Sequence, residues 1–120
     1  PNTSNLKASF VRFLSLSLIS FFLIPSLKSV LFILQSDNIF CKLSGLGMFD
    51  HNWTENSIAP IVNECLQQFG PSRCMFGSNF PVDSLYSDYS SLIKAYRNII
   101  PKLASETVFD KTARDFYKIH

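Results

Sequence analysis

Two short apolar segments, separated by a stretch long enough for one helix, constrain the fold of this chain most strongly. The first is Asn38-Ile-Phe-Cys-Lys-Leu-Ser-Gly and the second is Arg73-Cys-Met-Phe-Gly-Ser-Asn-Phe-Pro-Val-Asp. Apolar runs that end in Gly- and Ser-rich turns are typical of strands. Two such strands around one helix predict a β-α-β unit with parallel strands and a right-handed crossover. The polar residues at the strands' carboxyl ends lie where such units place their active sites.

The segment between the two strands has the apolar spacing of a helix. The residues at i, i+3, i+4, i+7, i+8 and i+11 are Ile58, Ile61, Val62, Cys65, Leu66 and Phe69. Because proline is disfavoured inside a helix, Pro60 predicts a helix that starts near it, with Thr54 or Ser57 capping a preceding turn. Gly70 is expected to end the helix in a left-handed cap.

Two more helices are predicted after the second strand. The first carries the apolar series Leu85, Tyr89, Leu92, Ile93, Tyr96 and Ile100 and ends at Pro101. The second is capped by Ser105 and carries the series Val108, Phe109, Thr112, Ala113, Phe116 and Tyr117. The order is β-α-β-α-α, and each helix has one apolar face that needs a larger sheet or barrel to pack against. The fold class is therefore α/β.

Composition narrows the possible functions. The net charge of +2, with no run of Lys or Arg, does not favour a nucleic-acid partner. The chain has three cysteines, an odd number that cannot all pair in disulfides within it. These cysteines, Cys41, Cys65 and Cys74, do not have the spacing of a metal-binding motif. We therefore expect buried free thiols in a reducing, cytoplasmic compartment. The two histidines form neither a His-x-His nor an HExxH motif, so this chain alone supports no metal site.

Residues 1–37 differ in character from residues 38–120, which are typical of an ordinary soluble protein. The first segment is rich in Ser, Leu, Phe and Ile. Three interpretations stay open: a membrane or targeting segment, in which residues 8–34 would insert; an amphipathic helix of the same fold; or sequence that does not belong to the fold. The third is favoured, because low complexity of this kind is typical of translated AT-rich DNA.

Polar residues on the first strand and in its following loop are candidates for a binding site. Strand alternation places Phe40, Lys42 and Ser44 on one side. A buried lysine is costly unless it is paired or faces a polar cavity. Lys42 therefore contacts a substrate anion or carbonyl, reaches the rim of the sheet, or pairs with an acid on a neighbouring strand. In the loop, His51 offers a titratable base and Trp53 an aromatic platform, although a loop histidine is also commonly solvated.

The turn Gly77-Ser-Asn-Phe-Pro-Val-Asp after the second strand is the sharper signal. Its Gly-Ser turn and the proline that ends strand pairing would present Asn79 to whatever lies above the sheet. The alternative is that Asn79 and Asp83 only satisfy backbone groups of the turn and of the following helix.

Three segments together resemble the C-terminal part of the amidohydrolase-related TIM-barrel hydrolases, a metal-dependent hydrolase family with a lactonase-like branch. They are Phe40-Cys-Lys-Leu-Ser-Gly, Arg73-Cys-Met-Phe-Gly-Ser-Asn-Phe-Pro-Val and Thr112-Ala-Arg-Asp-Phe-Tyr-Lys-Ile. The resemblance implies that the two strands are strands seven and eight of a (β/α)8 barrel, and that residues 38–120 are its last two βα units and a terminal helix.

The resemblance also implies an activity. Members of the family hydrolyse a lactone, amide or related carbonyl of a small molecule with activated water, some with a divalent metal such as zinc. Many relatives carry an aspartate at the Asn79 position, whereas an asparagine cannot take a proton at neutral pH. Asn79 would then orient the water or donate to the substrate, or Asp83 would compensate. The implied substrate-binding residues are Lys42, Ser44, His51, Trp53 and Asp83.

The resemblance further implies that this chain is a fragment, inactive alone, because the histidine-bearing strands of the family have no counterpart in it. The alternative is a membrane-tethered or degenerate, non-enzymatic binding module.

Overall fold

The computed structural model describes residues 12–15 and 39–119, and its strands form one parallel sheet. The strands are β1 (Arg12–Ser15), β2 (Ile39–Leu43) and β3 (Cys74–Phe76), in the spatial order β1-β2-β3. Both neighbouring pairs are parallel. The predicted β-α-β unit is therefore present, and the chain has an α/β fold.

Helices account for most of the rest of the described chain. They are α1 (Leu46–Phe49), α2 (Glu55–Phe69), α3 (Tyr89–Ile99), α4 (Lys102–Glu106) and α5 (Thr112–Tyr117), with a π-helical turn at Thr107–Lys111 and 3-10 turns at Pro71–Arg73 and Val82–Leu85.

Helix α2 starts earlier than the sequence predicts. Thr54 accepts a hydrogen bond from the Ser57 backbone N–H at 3.1 Å, and Ser57 Oγ accepts one from the Thr54 N–H at 2.8 Å. This reciprocal capping box sets the start of the helix at Glu55 and leaves Pro60 inside it, so the prediction of a start near Pro60 was wrong. Gly70 does have a positive φ of 79°, but its ψ of 158° is extended and not that of a left-handed cap.

Two boundaries after β3 also differ from the predictions. Helix α3 begins at Tyr89 because Asp88 accepts the Ser91 N–H at 2.7 Å, and Leu85 lies in a 3-10 turn with 78% of its surface exposed. Ser105 does not cap a helix. It lies within α4, which Pro101 starts, and the helical path continues through the π turn into α5.

The core lies between the sheet and helices α2 and α3. Its fully buried members include the three cysteines, which are free thiols as predicted. Cys41 lies opposite Cys74 in the sheet, and Cys65 belongs to α2. Hydrogen bonding with the other two thiols, followed by burial, raises the pKa of the Cys41 thiol well above its ordinary value. The Cys41 thiol is therefore protonated, and all three cysteines act as buried packing groups.

The C-terminal helical path, which comprises α4, the π-helical turn and α5, packs against the amino-terminal ends of the strands. Thr112 Oγ1 donates to the Pro71 carbonyl at 2.7 Å, just before β3 begins. The Phe116 ring packs edge-on against Phe40 near the start of β2, with 5.1 Å between ring centroids. These contacts cover the amino-terminal ends of β2 and β3. The polar residues that follow the two strands lie at the opposite, carboxyl-terminal edge of the sheet.

Little of the segment 1–37 belongs to the described part of the chain. Its residues 12–15 form β1, which pairs with β2. The other residues of the proposed membrane segment 8–34 lie outside the described residues, and the boundary at residues 37 and 38 stays a prediction. Among the helices of residues 39–119, none has the length and apolar character needed to cross a bilayer.

Candidate functional site

The carboxyl ends of β2 and β3 meet around Gly77. The Gly77 N–H donates to the Leu43 carbonyl at 3.1 Å, so pairing of the strands continues one residue beyond β3. A Cβ at Gly77 would lie 2.6 Å from Lys42 Cε and 3.2 Å from Ser44 Oγ. The absence of a side chain at Gly77 lets the Lys42 side chain pass close to the turn. The structure therefore brings Lys42, which is half-buried, and Ser44, which is buried, against the turn that leads to Asn79.

Asn79 lies in that turn with a left-handed backbone, φ 57°. Its Nδ2 donates to Asp83 Oδ1 at 2.9 Å and to Met48 Sδ at 3.2 Å. The Asp83 N–H in turn donates to the Asn79 carbonyl at 2.9 Å. These bonds tie the turn after β3 to α1, the short helix after β2.

Asp83 lies behind Asn79 and is almost fully buried, with 1% of its surface exposed. A Cβ at Gly47 would lie 3.3 Å from Asp83 Oδ2 and 3.1 Å from Tyr86 Cδ2, so α1 approaches this carboxylate closely. Burial, and to a lesser degree the charge of Asp83, raise the pKa of Tyr96 far above its ordinary value. The buried Asp83 side chain therefore accepts the hydrogen bond that holds the Asn79 amide. Direct contact between Asp83 and a substrate stays a prediction.

The two loop candidates occupy different environments. His51 is exposed and stacks on Tyr86, with 4.4 Å between ring centroids and 10° between ring planes. Trp53 is half-buried and packs against the apolar core, and its backbone N–H donates to the Asp50 carbonyl at 3.1 Å. His51 therefore lies on the solvent-exposed loop next to Tyr86, whereas Trp53 contributes to the packing of the apolar core.

Sequence analysis missed Gly47, Met48 and Tyr86. A glycine in an apolar segment can indicate close backbone approach, which would have drawn attention to Gly47. No sequence signal connects Met48 to Asn79, because the two residues are brought together only by the packing of two loops.

The residues around the strand ends do not form a metal centre by themselves. Within residues 39–119, no group of three or more His, Cys, Asp and Glu side chains could hold a metal ion. A separate groove of about 400 Å³ lies along one face of α3. Its lining residues, which include none of the predicted site residues, are Tyr89, Ser90, Ile93, Lys94, Arg97 and Asn98.

Comparisons with known proteins give a consistent result. Residues 29–119 match the amidohydrolase family model. The uncharacterized protein y4mH of Sinorhizobium fredii (strain NBRC 101917 / NGR234) is 40% identical over 95 residues, which cover 77% of this chain and 32% of that protein.

Two crystal structures of an amidohydrolase from Burkholderia multivorans have a similar fold. One contains bound zinc and the other bound HEPES. Each aligns with 81% of this chain at a TM-score of 0.68 and 23% identity. The aligned part is 37% of the zinc-bound chain and 36% of the other, so this chain spans only about a third of the length of the proteins it matches.

Proposed function

Because this chain belongs to the amidohydrolase family, we propose that it forms part of a hydrolase that acts on a lactone, amide or related carbonyl of a small molecule. One observation carries the proposal. Lys42 and Ser44 at the end of β2 lie against Gly77, two residues before Asn79, at the end of β3. Polar side chains from two neighbouring parallel strands thus share the edge at which α/β enzymes bind their substrates.

In the proposed architecture, β2 and β3 are strands seven and eight of a (β/α)8 barrel. The parallel β-α-β unit and the closure of the amino-terminal strand ends by the C-terminal helical path support this placement. The remaining strands of the barrel would cover the open side of the sheet. The fragment character follows from the same proposal, since the chain covers about a third of its relatives.

The side chains suggest how the work is divided. Attack of water on a carbonyl carbon places negative charge on the carbonyl oxygen, which hydrogen-bond donors stabilise. Lys42 and the Ser44 hydroxyl are donors of this kind. Asn79 contacts the attacking water or the substrate, and Asp83 holds Asn79. Because asparagine takes up no proton at neutral pH, the proton that the water loses would pass to a base on another strand of the barrel, which would return it to the leaving oxygen or nitrogen. His51 and Trp53 line the outer rim on the loop after β2.

A divalent metal would need ligands from outside the described residues of this chain. Zinc is bound in the Burkholderia amidohydrolase. The described residues of this chain, however, do not supply the cluster of ligands that such an ion needs. Ligands in the complete protein would come from other strands of the barrel, and we expect the isolated chain to show no turnover for this reason.

A chimera tests the proposal. Residues 39–119 would replace the corresponding residues within the 95-residue matched segment of the Sinorhizobium relative. Hydrolysis of small lactones, esters and amides, including δ-valerolactone and para-nitrophenyl acetate, would be measured with added Zn²⁺. We expect the chimera to retain the hydrolysis that the unmodified relative shows, and the 120-residue chain alone to show none.

Two lysine variants serve as a matched pair in the chimera. Lys42→Ala removes the proposed donor, whereas Lys94→Ala removes an exposed lysine on α3, away from the strand ends. Loss of hydrolysis in the first variant only is the expected result. A folded chimera that binds the compounds without hydrolysing them would contradict the proposal and support the degenerate binding module.

A further inference from the structure

The partners of the Asn79 side chain determine which way its amide faces. An asparagine side chain has an amino group that donates and a carbonyl oxygen that accepts. Asp83 Oδ1 and Met48 Sδ, which contact its nitrogen at 2.9 and 3.2 Å, are a carboxylate oxygen and a thioether sulfur. Both are acceptors, so a rotated amide would place its carbonyl oxygen against two acceptors. The amino group must face Asp83 and Met48, and Oδ1 is turned away from both.

The surroundings of Asp83 make this orientation rigid. The Asp83 side chain accepts from Asn79 Nδ2, and the Asp83 N–H donates to the Asn79 carbonyl at 2.9 Å. Two hydrogen bonds therefore join the same two residues. Asp83 is also almost fully buried, and α1 covers its Oδ2 at Gly47, where an added Cβ would lie 3.3 Å away.

We propose that Asp83 is a positioning residue, which holds Asn79 so that its Oδ1 accepts a hydrogen bond from the attacking water. The inference rests on the proposed function and decides between the two roles that the sequence leaves open for Asn79. With its amino group held by Asp83 and Met48, Asn79 orients water and does not donate to the substrate. Donation to the carbonyl oxygen of the substrate falls to Lys42 and Ser44, at the end of β2.

Nuclear magnetic resonance on the ¹⁵N-labelled full chain tests the orientation without any need for activity. We expect the Asn79 Nδ2 protons to show nuclear Overhauser effects to the Met48 methyl group and slow exchange with solvent. Asp83→Asn keeps the shape of the side chain but can donate as well as accept, so it no longer selects one orientation. In this variant, exchange of the Asn79 amide protons should rise by about tenfold.

The chain contains a matched control for this measurement. Asn98 Nδ2 donates to Glu55 Oε1 at 2.8 Å, which is also an amide held by a carboxylate but at an exposed site. Asp83→Asn should leave exchange at Asn98 unchanged, and Glu55→Gln should accelerate exchange at Asn98 alone. Equal exchange at Asn79 in the wild-type chain and in Asp83→Asn, or the absence of contacts to Met48, would overturn the inference.

A second variant covers the case in which Asp83→Asn fails to fold. Met48→Leu keeps an apolar side chain at an exposed position and removes only the sulfur acceptor. Exchange at Asn79 should then rise by a smaller factor than in Asp83→Asn, because the thioether is the weaker acceptor. Unchanged exchange at Asn79 in Met48→Leu would count against the orientation.

Kinetics in the chimera separate a role toward water from a role toward substrate. With δ-valerolactone, Asp83→Asn should lower kcat by about 10- to 100-fold and leave KM within about twofold. The exchange of partners in Asn79→Asp with Asp83→Asn keeps an acceptor at position 79 and should restore kcat. A rise in KM with unchanged kcat would show that Asn79 binds the substrate, against the inference. A chimera with no hydrolysis but with the expected amide exchange would overturn the proposed function alone.

Discussion

Two regions that share the same strands follow different physical rules. On β2, Leu43 is fully buried in the apolar layer between the sheet and the helices, where Phe76 packs on Tyr96 with 4.8 Å between ring centroids. The adjacent residue Lys42 points to the other side and lies against Gly77. The stability of the apolar layer depends on side-chain volume and burial. The function of the strand-end site (Lys42, Ser44, Asn79 and Asp83) depends on the direction of individual hydrogen bonds. Truncation of a side chain should therefore lower stability in the first region and impair chemistry in the second, whereas a new charge should also destabilise the second.

The largest expected effect comes from neighbouring substitutions on β2. Leu43→Ala should lower the free energy of unfolding by about 2–5 kcal/mol, because it leaves a cavity in the apolar layer. Lys42→Ala should change it by less than about 1 kcal/mol and still abolish hydrolysis in the chimera. Urea denaturation of both variants measures the difference. Equal losses of stability would show that Lys42 is a packing residue and would remove the contrast between the two regions.

The next effect concerns charge in the strand-end site. Asn79→Asp would place a second carboxylate at hydrogen-bond distance from Asp83, and we expect a loss of about 1–3 kcal/mol at pH of about 7. The substitution also removes the amide donor and leaves two acceptors in contact. Urea denaturation of the variant and of the wild-type chain provides the measurement.

The exchanged pair is the control for that experiment. Asn79→Asp with Asp83→Asn restores one donor facing one carboxylate, and most of the stability should return. If the double variant is no more stable than Asn79→Asp, then charge repulsion is not the reason for the loss.

A smaller effect is expected at the start of α2, the helix that covers the apolar layer. Thr54→Ala removes the side chain that accepts the Ser57 N–H and should cost about 1 kcal/mol. Thermal denaturation would detect this. Thr54→Ser keeps the hydroxyl and should retain most of the stability, whereas an equal loss in both variants would indicate that the methyl group matters and the cap does not.

The smallest effect concerns acid stability at the start of α3. Hydrogen bonds from the Ser91 N–H and then from the Ser91 hydroxyl lower the pKa of Asp88 below its ordinary value. Asp88 therefore contributes stability above the pKa that it has in the unfolded chain, and this contribution disappears as the pH falls through the lower pKa of the folded chain. Asp88→Asn keeps an N-cap side chain without the charge. Its stability should depend less steeply on acidic pH than that of the wild-type chain, and identical pH profiles would contradict the role.

Local patterns predicted the elements better than their ends. The apolar spacing of α2 and α3 and the turns after β2 and β3 are visible in short windows of sequence, and the family resemblance that they carry is confirmed by the match over residues 29–119. The errors fell at Pro60, Gly70, Leu85 and Ser105. At Pro60 and Ser105, a rule for one residue competed with a stronger neighbouring cap or proline. A capping box with two hydrogen bonds outweighs the disfavoured position of one proline, which explains the early start of α2.

The candidate site divides in the same way. Lys42, Ser44 and Asn79 were predicted to lie at the strand ends because parallel strands carry their carboxyl ends to one edge. Their roles as site residues stay predictions that the experiments above address. The structure added Met48 and Gly47, which contact the Asn79–Asp83 pair from a different loop.

The sequence by itself therefore determined the α/β class, the parallel β-α-β unit, the buried thiols and the family, because each depends on periodicity or on short motifs along the chain. Only the tertiary structure decided that Asp83 is buried next to Asn79 and that His51 stacks on Tyr86. It also decided that the Asn79 amide turns its oxygen away from Asp83 and Met48. The physical reason is that an amide takes its direction from the donors and acceptors around it. Here the sulfur of Met48, 31 residues away along the chain, comes within reach only when the loops after β2 and β3 pack together.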